Sequence, residues 1–160
     1  MRGGPPNREP DSLRVLGAWL YAIVKTPDLL TIDHELQEKL DILTYQIPYR
    51  EFPLVPVLVN SAAFDTGIYL AEVFRHNCAN VDWWLCKSVS EGRLSIDYGE
   101  PVLTNFGRAH HLNPIGVVRT AVTLSLLTDM VYDGPLRLSP SRLYELFGHW
   151  RKYVPIEDWR

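Results

Sequence analysis

The tightest constraint on this chain is the stretch that opens at Asn113-Pro114 and stops at Asp133-Gly134-Pro135. Asparagine is a good helix N-cap, and proline is best tolerated at the first helical position, where no N–H is needed. Glycine followed by proline is the usual order just past a helix end. Between these signals Ile115, Val117, Val118, Ala121, Val122, Leu124, Leu126, Leu127 and Val131 leave few polar faces. A helix that is apolar nearly all round must be covered on most sides. The sequence therefore predicts a central helix from Pro114 to about Tyr132, with the rest of the chain supplying its cover.

Helices supply most of that cover. Asp11-Ser12 can cap a helix whose apolar face is Leu13, Leu16, Leu20, Ile23 and Val24. Thr26-Pro27-Asp28 interrupts it, and a second helix is expected from about Asp28 to Tyr45. Its stripe is Leu29, Ile32, Leu36, Leu40, Leu43 and Ile47, with His34, Glu35, Glu38, Lys39 and Asp41 on the solvated side. Pro48, Pro53 and Pro56 exclude helix from Ile47 to about Val57. The run Leu54 to Val59 is apolar on both parities, which fits either an edge strand or the first turn of a helix. Asn60 or Ser61 can then cap a third helix to about Asn77 that buries Ala63, Phe64, Gly67, Leu70, Ala71 and Phe74. Gly67 costs about 1 kcal/mol in a helix interior, so it suggests close packing against another element. Ser139-Pro140 starts a last helix with Leu143, Leu146, Phe147 and Trp150 on its inner face.

The apolar period changes to 2 after Ala79. Val81 to Lys87, Leu94 to Tyr98 and Pro101 to Thr104 read as strands, with a turn at Ser90-Glu91-Gly92. Connections this short require antiparallel pairing in a hairpin or three-stranded meander. The expected fold class is α+β and mainly helical. About five helices should surround a small antiparallel sheet of two or three strands, placed between the third and fourth helices. Residues 1–10, rich in glycine, proline and charge, read as a flexible tail, and residues 11–160 as a single globular domain.

Composition narrows the function classes. A net charge of −3 gives no basic surface for phosphate contacts, so nucleic acid is not an expected partner. The longest uncharged run, Phe52 to Phe64, has 13 residues and contains two prolines, whereas a membrane span needs about 20. The first ten residues lack the apolar core of a secretory signal. These features predict a soluble, cytoplasmic domain. Cys78 and Cys86, the only cysteines, are then expected to stay reduced and behave as small apolar residues.

Three constellations could carry chemistry. Asp65, Tyr69, Glu72 and His76 share one helical stripe, and Glu72 and His76 lie one turn apart. Such a carboxylate could orient the imidazole, or both could hold a metal; the plain alternative is a solvated ion pair. Arg108, His110 and His111 precede the helix at Pro114, whose first turn suits an anion, although Asn113 can satisfy those N–H groups itself. Cys78 near a helix carboxyl end and Cys86 in a strand are poor nucleophiles, because neither position stabilises a thiolate. His34-Glu35-Leu36-Gln37-Glu38 has the glutamate of a zinc-protease helix but not its second histidine, so no metal site is assigned. No phosphate-binding, dinucleotide-binding or serine-hydrolase motif occurs, and no cofactor is expected.

Surface aromatics offer another kind of function. Trp83 and Trp84 must point to opposite faces of their strand, so one can be exposed. Trp150 and Trp159 lie in a carboxyl-terminal segment rich in aromatics and arginine, the residue types enriched at interfaces. Trp83, Trp84, Arg108, Trp150 and Trp159 are therefore the candidate binding residues. The expected function is a non-enzymatic module that binds a protein partner, as an adaptor, inhibitor or immunity-type protein does. The alternative is a small hydrolytic enzyme using Glu72 and His76 with His110 or His111, with or without a metal.

Overall fold

The computed structural model describes residues 7–26, 57–87, 89–90, 93–94, 97–107, 111–127 and 138–160. Its elements are α1 (Ser12–Val24), α2 (Val57–Asn77), β1 (Trp83–Leu85), β2 (Val89–Ser90), β3 (Arg93–Leu94), β4 (Pro101–Leu103), α3 (Pro114–Leu127), α4 (Arg142–Arg151) and a 3₁₀ turn, Ile156–Asp158. The protein is mainly helical α+β, with four α-helices and short antiparallel ladders among the described residues. The helix expected over 28–45 lies outside them, and so do residues 128–137, where the central helix was expected to reach Tyr132. None of the described helices is long and apolar enough to cross a membrane.

The cap at Asn113 forms as its residue type dictates. Its Oδ1 accepts the Gly116 N–H at 2.7 Å, satisfying one of the unpaired donors of the first turn of α3. Ile115, Val118, Ala121 and Val122 are then buried against α2. Gly67 explains how closely the two helices approach: a Cβ there would sit 2.6 Å from the Ile115 Cα. The core continues through Phe74, whose ring meets Phe106 at 5.3 Å and Phe147 at 4.6 Å between centroids. Leu13, Leu20 and Val24 of α1 and Leu143 of α4 close it from the other side.

Several expectations are corrected. α2 begins at Val57, so Asn60 and Ser61 are exposed positions inside the helix and do not cap it. Phe64 is 46% exposed where burial was expected, because the inward face of α2 runs through Ala63, Thr66, Gly67 and Leu70. Asp11 stands at the N-cap of α1 without a capping bond; its carboxylate reaches Arg14 instead. Residues 7–10, read as the end of a flexible tail, touch α2: the Asn77 amide donates to the Arg8 carbonyl at 2.9 Å.

The strands pair differently from a meander. β1 pairs with β4, from Trp83↔Leu103 to Leu85↔Pro101, and β2 pairs with β3 beyond them. Three residues (86–88) separate β1 from β2, but six (95–100) separate β3 from β4. The surplus on the return side is taken up by a turn at Asp97–Glu100, with Gly99 at φ +82°. The other edge of β4 is covered, since Leu103 and Leu112 exchange both backbone hydrogen bonds.

Candidate functional site

The helical stripe does not assemble as a catalytic group. Glu72 accepts from Arg75 at 2.8 Å and from the Trp83 indole N–H at 3.4 Å, and Arg8 approaches its other oxygen at 3.8 Å. Partial burial alone would push this carboxyl up; Arg75, Trp83 and Arg8 outweigh it and hold the group below the usual carboxylate range. Arg75 also reaches Asp82 at 2.9 Å, and its own proton affinity is raised, chiefly by Glu72. His76 is exposed, and Asp65 is exposed further along the helix. The Tyr69 hydroxyl donates to Ser12 Oγ at 2.9 Å, tying α2 to α1. Glu72 is thus an acceptor between α2 and β1, engaged by Arg75 and Trp83 and not by His76 as the plain reading had it.

The loop before α3 contains a constellation the sequence did not reveal. His111 Nε2 lies 3.0 Å from Asp97 Oδ2 and 3.9 Å from Cys86 Sγ, while Asn113 donates to Asp97 Oδ1 at 2.9 Å. Cysteine, histidine and aspartate in contact invite a nucleophilic reading, but the geometry opposes it. The same ring nitrogen, Nε2, faces both the carboxylate and the thiol, whereas a relay needs the two partners on opposite ring nitrogens. Cys86 is also fully buried, out of reach of a substrate. The cluster fastens the Gly99 turn to the start of α3, and Asp97 supplies the negative charge that a helix amino terminus favours. Arg108 and His110 lie outside the described residues.

Cys78 is buried at the end of α2, and burial pushes its thiol up against the opposing pull of Arg151. Both cysteines are free thiols. Among the described residues, no group of three or more His, Cys, Asp or Glu is placed to hold a metal ion. His34 to Glu38 fall outside them.

The tryptophans differ in what they pack against, although Trp159 is 40% exposed and Trp19 as exposed as Trp84. Trp150 packs its ring against Phe106 at 5.7 Å. Trp159 is held under the Arg151 guanidinium at 4.1 Å, and its indole N–H donates to the Val154 carbonyl at 3.3 Å. Its backbone bridges to Cys78, so the carboxyl-terminal segment folds back on the end of α2. Trp83 turns inward to Glu72. Trp84 stays 49% exposed and joins a groove of about 460 Å³ lined by Phe64, Ile68, Trp83, Leu85, Pro101 and Ile115. Phe64 is 46% exposed, Ile68 37% and Leu85 49%, so the walls are open to solvent and apolar. A run of apolar side chains exposed together in a concavity is how a binding surface differs from scattered surface apolars.

Sequence reasoning found Trp84 but missed Phe64, Ile68, Leu85 and Pro101. One signal was available: Phe64 and Ile68 sit at i and i+4, beside the inward stripe of Ala63 and Gly67, so the apolar arc of α2 is wider than one core contact requires. Comparison with protein-family models, curated proteins and solved structures gave no match.

Proposed function

We propose that this protein is a non-enzymatic binding module whose partner protein docks in the groove between α2 and β1. The observation that carries the reading is the joint exposure of Phe64, Ile68, Trp84 and Leu85 around one cavity. Leaving such side chains in water forgoes roughly 25 cal/mol for every Å² that could be buried. A partner that covers them recovers that free energy, and an aromatic at the centre of the patch is the usual anchor. The hydrolase alternative draws less support, because Glu72 is engaged by Arg75 and Trp83 while His76 stands exposed away from that network. A cytoplasmic location and a protein partner belong to this proposal.

The test is quantitative affinity capture of the tagged full chain and of its Phe64→Asp/Trp84→Asp variant, with thermal melts of both. The reading expects a near-stoichiometric protein with the parent chain and at least a tenfold loss with an equally stable variant. Equal recovery by both proteins would move the interface elsewhere.

A further inference from the structure

We infer that the occupant of this groove is an extended peptide segment of the partner, which adds a strand to the open edge of β1; the inference rests on the groove being a binding surface. The hydrogen bonds fix which edge is open. Thr104 N–H donates to the Asp82 carbonyl and Cys86 N–H to the Glu100 carbonyl, both at 3.0 Å. Alternation then turns the backbone groups of Asp82, Trp84 and Cys86 toward β4 and those of Trp83 and Leu85 away from it. The Trp83 N–H is taken by Asp82 Oδ1 at 2.8 Å. The Trp83 carbonyl and both backbone groups of Leu85 meet no partner among the described residues. β4 offers no such opening, since Pro101 has no N–H and Leu103 is paired with Leu112.

The groove reaches this edge. Successive side chains leave a strand on opposite faces, yet Trp83, Trp84 and Leu85 all line the cavity, as they can where it runs along the strand margin. Phe64 and Ile68 of α2 and Trp83, Trp84 and Leu85 of β1 contribute to the lining, so a chain bound there lies between a helix and a strand, with Ile115 also on the lining for its inward side chains.

The open edge selects a strand over a helix or a rounded protein surface, because only an extended backbone can pair with both the N–H and the carbonyl of Leu85. The four partly exposed side chains present roughly 270–450 Å² of apolar surface, taking ~150–250 Å² for a fully exposed large side chain. A standard interface of about 800 Å² on each partner is a little over half apolar, so area alone does not separate the occupants, and a second copy docking by side chains only is the competing outcome. A strand-adding peptide combines main-chain hydrogen bonds with apolar side chains at every second position. Asp65 and Lys87 are sequence neighbours of the lining and opposite in sign, so the alternating apolar pattern, and not net charge, is what the site selects.

The experiment is selection of a random 12-residue peptide display library on the full-length protein, followed by synthesis of the winners. The inference expects winners apolar at alternate positions, with affinity falling at least tenfold on Trp84→Ala or Phe64→Ala. Methylating one backbone nitrogen of a winner should cost a further tenfold, and binding should slow amide exchange at Leu85 at least tenfold. Winners that need the groove but carry helical spacing and tolerate N-methylation would overturn strand addition and leave the binding module intact. If no winner depends on Trp84 or Phe64, both readings fall together.

Discussion

The two ends of α2 use the same kinds of residue to opposite effect. From Leu70 to Asn77 the helix is closed in: Leu70, Ala71, Val73 and Phe74 are buried, Glu72 and Arg75 are paired across to β1, and the carboxyl terminus folds over Asn77 through an Arg160 N–H donating at 3.0 Å. From Val57 to Tyr69 the inner face is just as tightly packed at Ala63 and Gly67, but Leu58, Phe64 and Ile68 stay in water. Polar groups finish the closed end, while apolar ones are left over at the open end. Excess apolar surface with no intramolecular partner among the described residues is what the proposed docking site rests on, while the ion pairs at the other end join α2 to β1.

The contrast can be attacked first at its closed end. Phe74→Ala should cost about 3–5 kcal/mol, because the Phe106 and Phe147 rings lose their shared neighbour; urea unfolding with a midpoint within error of the parent would refute that packing. Gly67→Ala follows, at roughly 1–3 kcal/mol, since the new Cβ meets backbone at Ile115 and overpacking outweighs the helix-propensity gain of alanine. A raised melting temperature would mean that the two helices separate easily. Asn113→Ala should cost about 1–2 kcal/mol through loss of the cap and of the amide that binds Asp97. Hydrogen exchange of the first turn of α3 should rise with it, and unchanged exchange would place the cap elsewhere.

Smaller effects sharpen the comparison. The Glu72 carboxyl is held below its ordinary range when folded, so its contribution is present above the unfolded value and is lost as pH falls through the folded one. Glu72→Gln should therefore destabilise slightly at neutral pH, by less than about 1 kcal/mol for a pair so near solvent, and the difference from the parent should vanish in acid. Urea midpoints at neutral and strongly acid pH measure this directly, and a constant gap would deny the ion pair its role. At the open end, Trp84→Ser and Phe64→Ser should leave stability within about 0.5 kcal/mol, as for other surface positions. A substantial loss would make those side chains part of the core, and the groove would no longer be a site.

Local signals in the chain were legible where they act over a few residues. Asn113-Pro114, the buried stripe of α3, the inward faces of α1 and α4 and the close approach at Gly67 were all readable, whereas α4 starts two residues past the Ser139-Pro140 signal, with Ser141 at its N-cap. Their causes are local: an unpaired N–H, a fixed φ, a period of 3.6 and a missing Cβ. The strand pairing was not legible, because a meander and a nested hairpin satisfy the same alternation, and the turn at Gly99 that absorbs three extra residues decides between them. Asp97 was invisible for a related reason. Its partners His111 and Asn113 lie far along the chain, and nothing in its immediate surroundings points to them.

Sequence alone therefore determined the class of the protein, helices covering an apolar helix with a short antiparallel insertion, since burying that helix leaves few other arrangements. It also determined that the Glu72 and His76 spacing could be either a site or a salt bridge. Only tertiary structure showed which groups reach that carboxylate, Arg75 and Trp83. It likewise decided which tryptophan of the adjacent pair faces water, and that Phe64 stands beside it. Exposure is a property of what packs across from a residue, and that partner is fixed by the path of the whole chain.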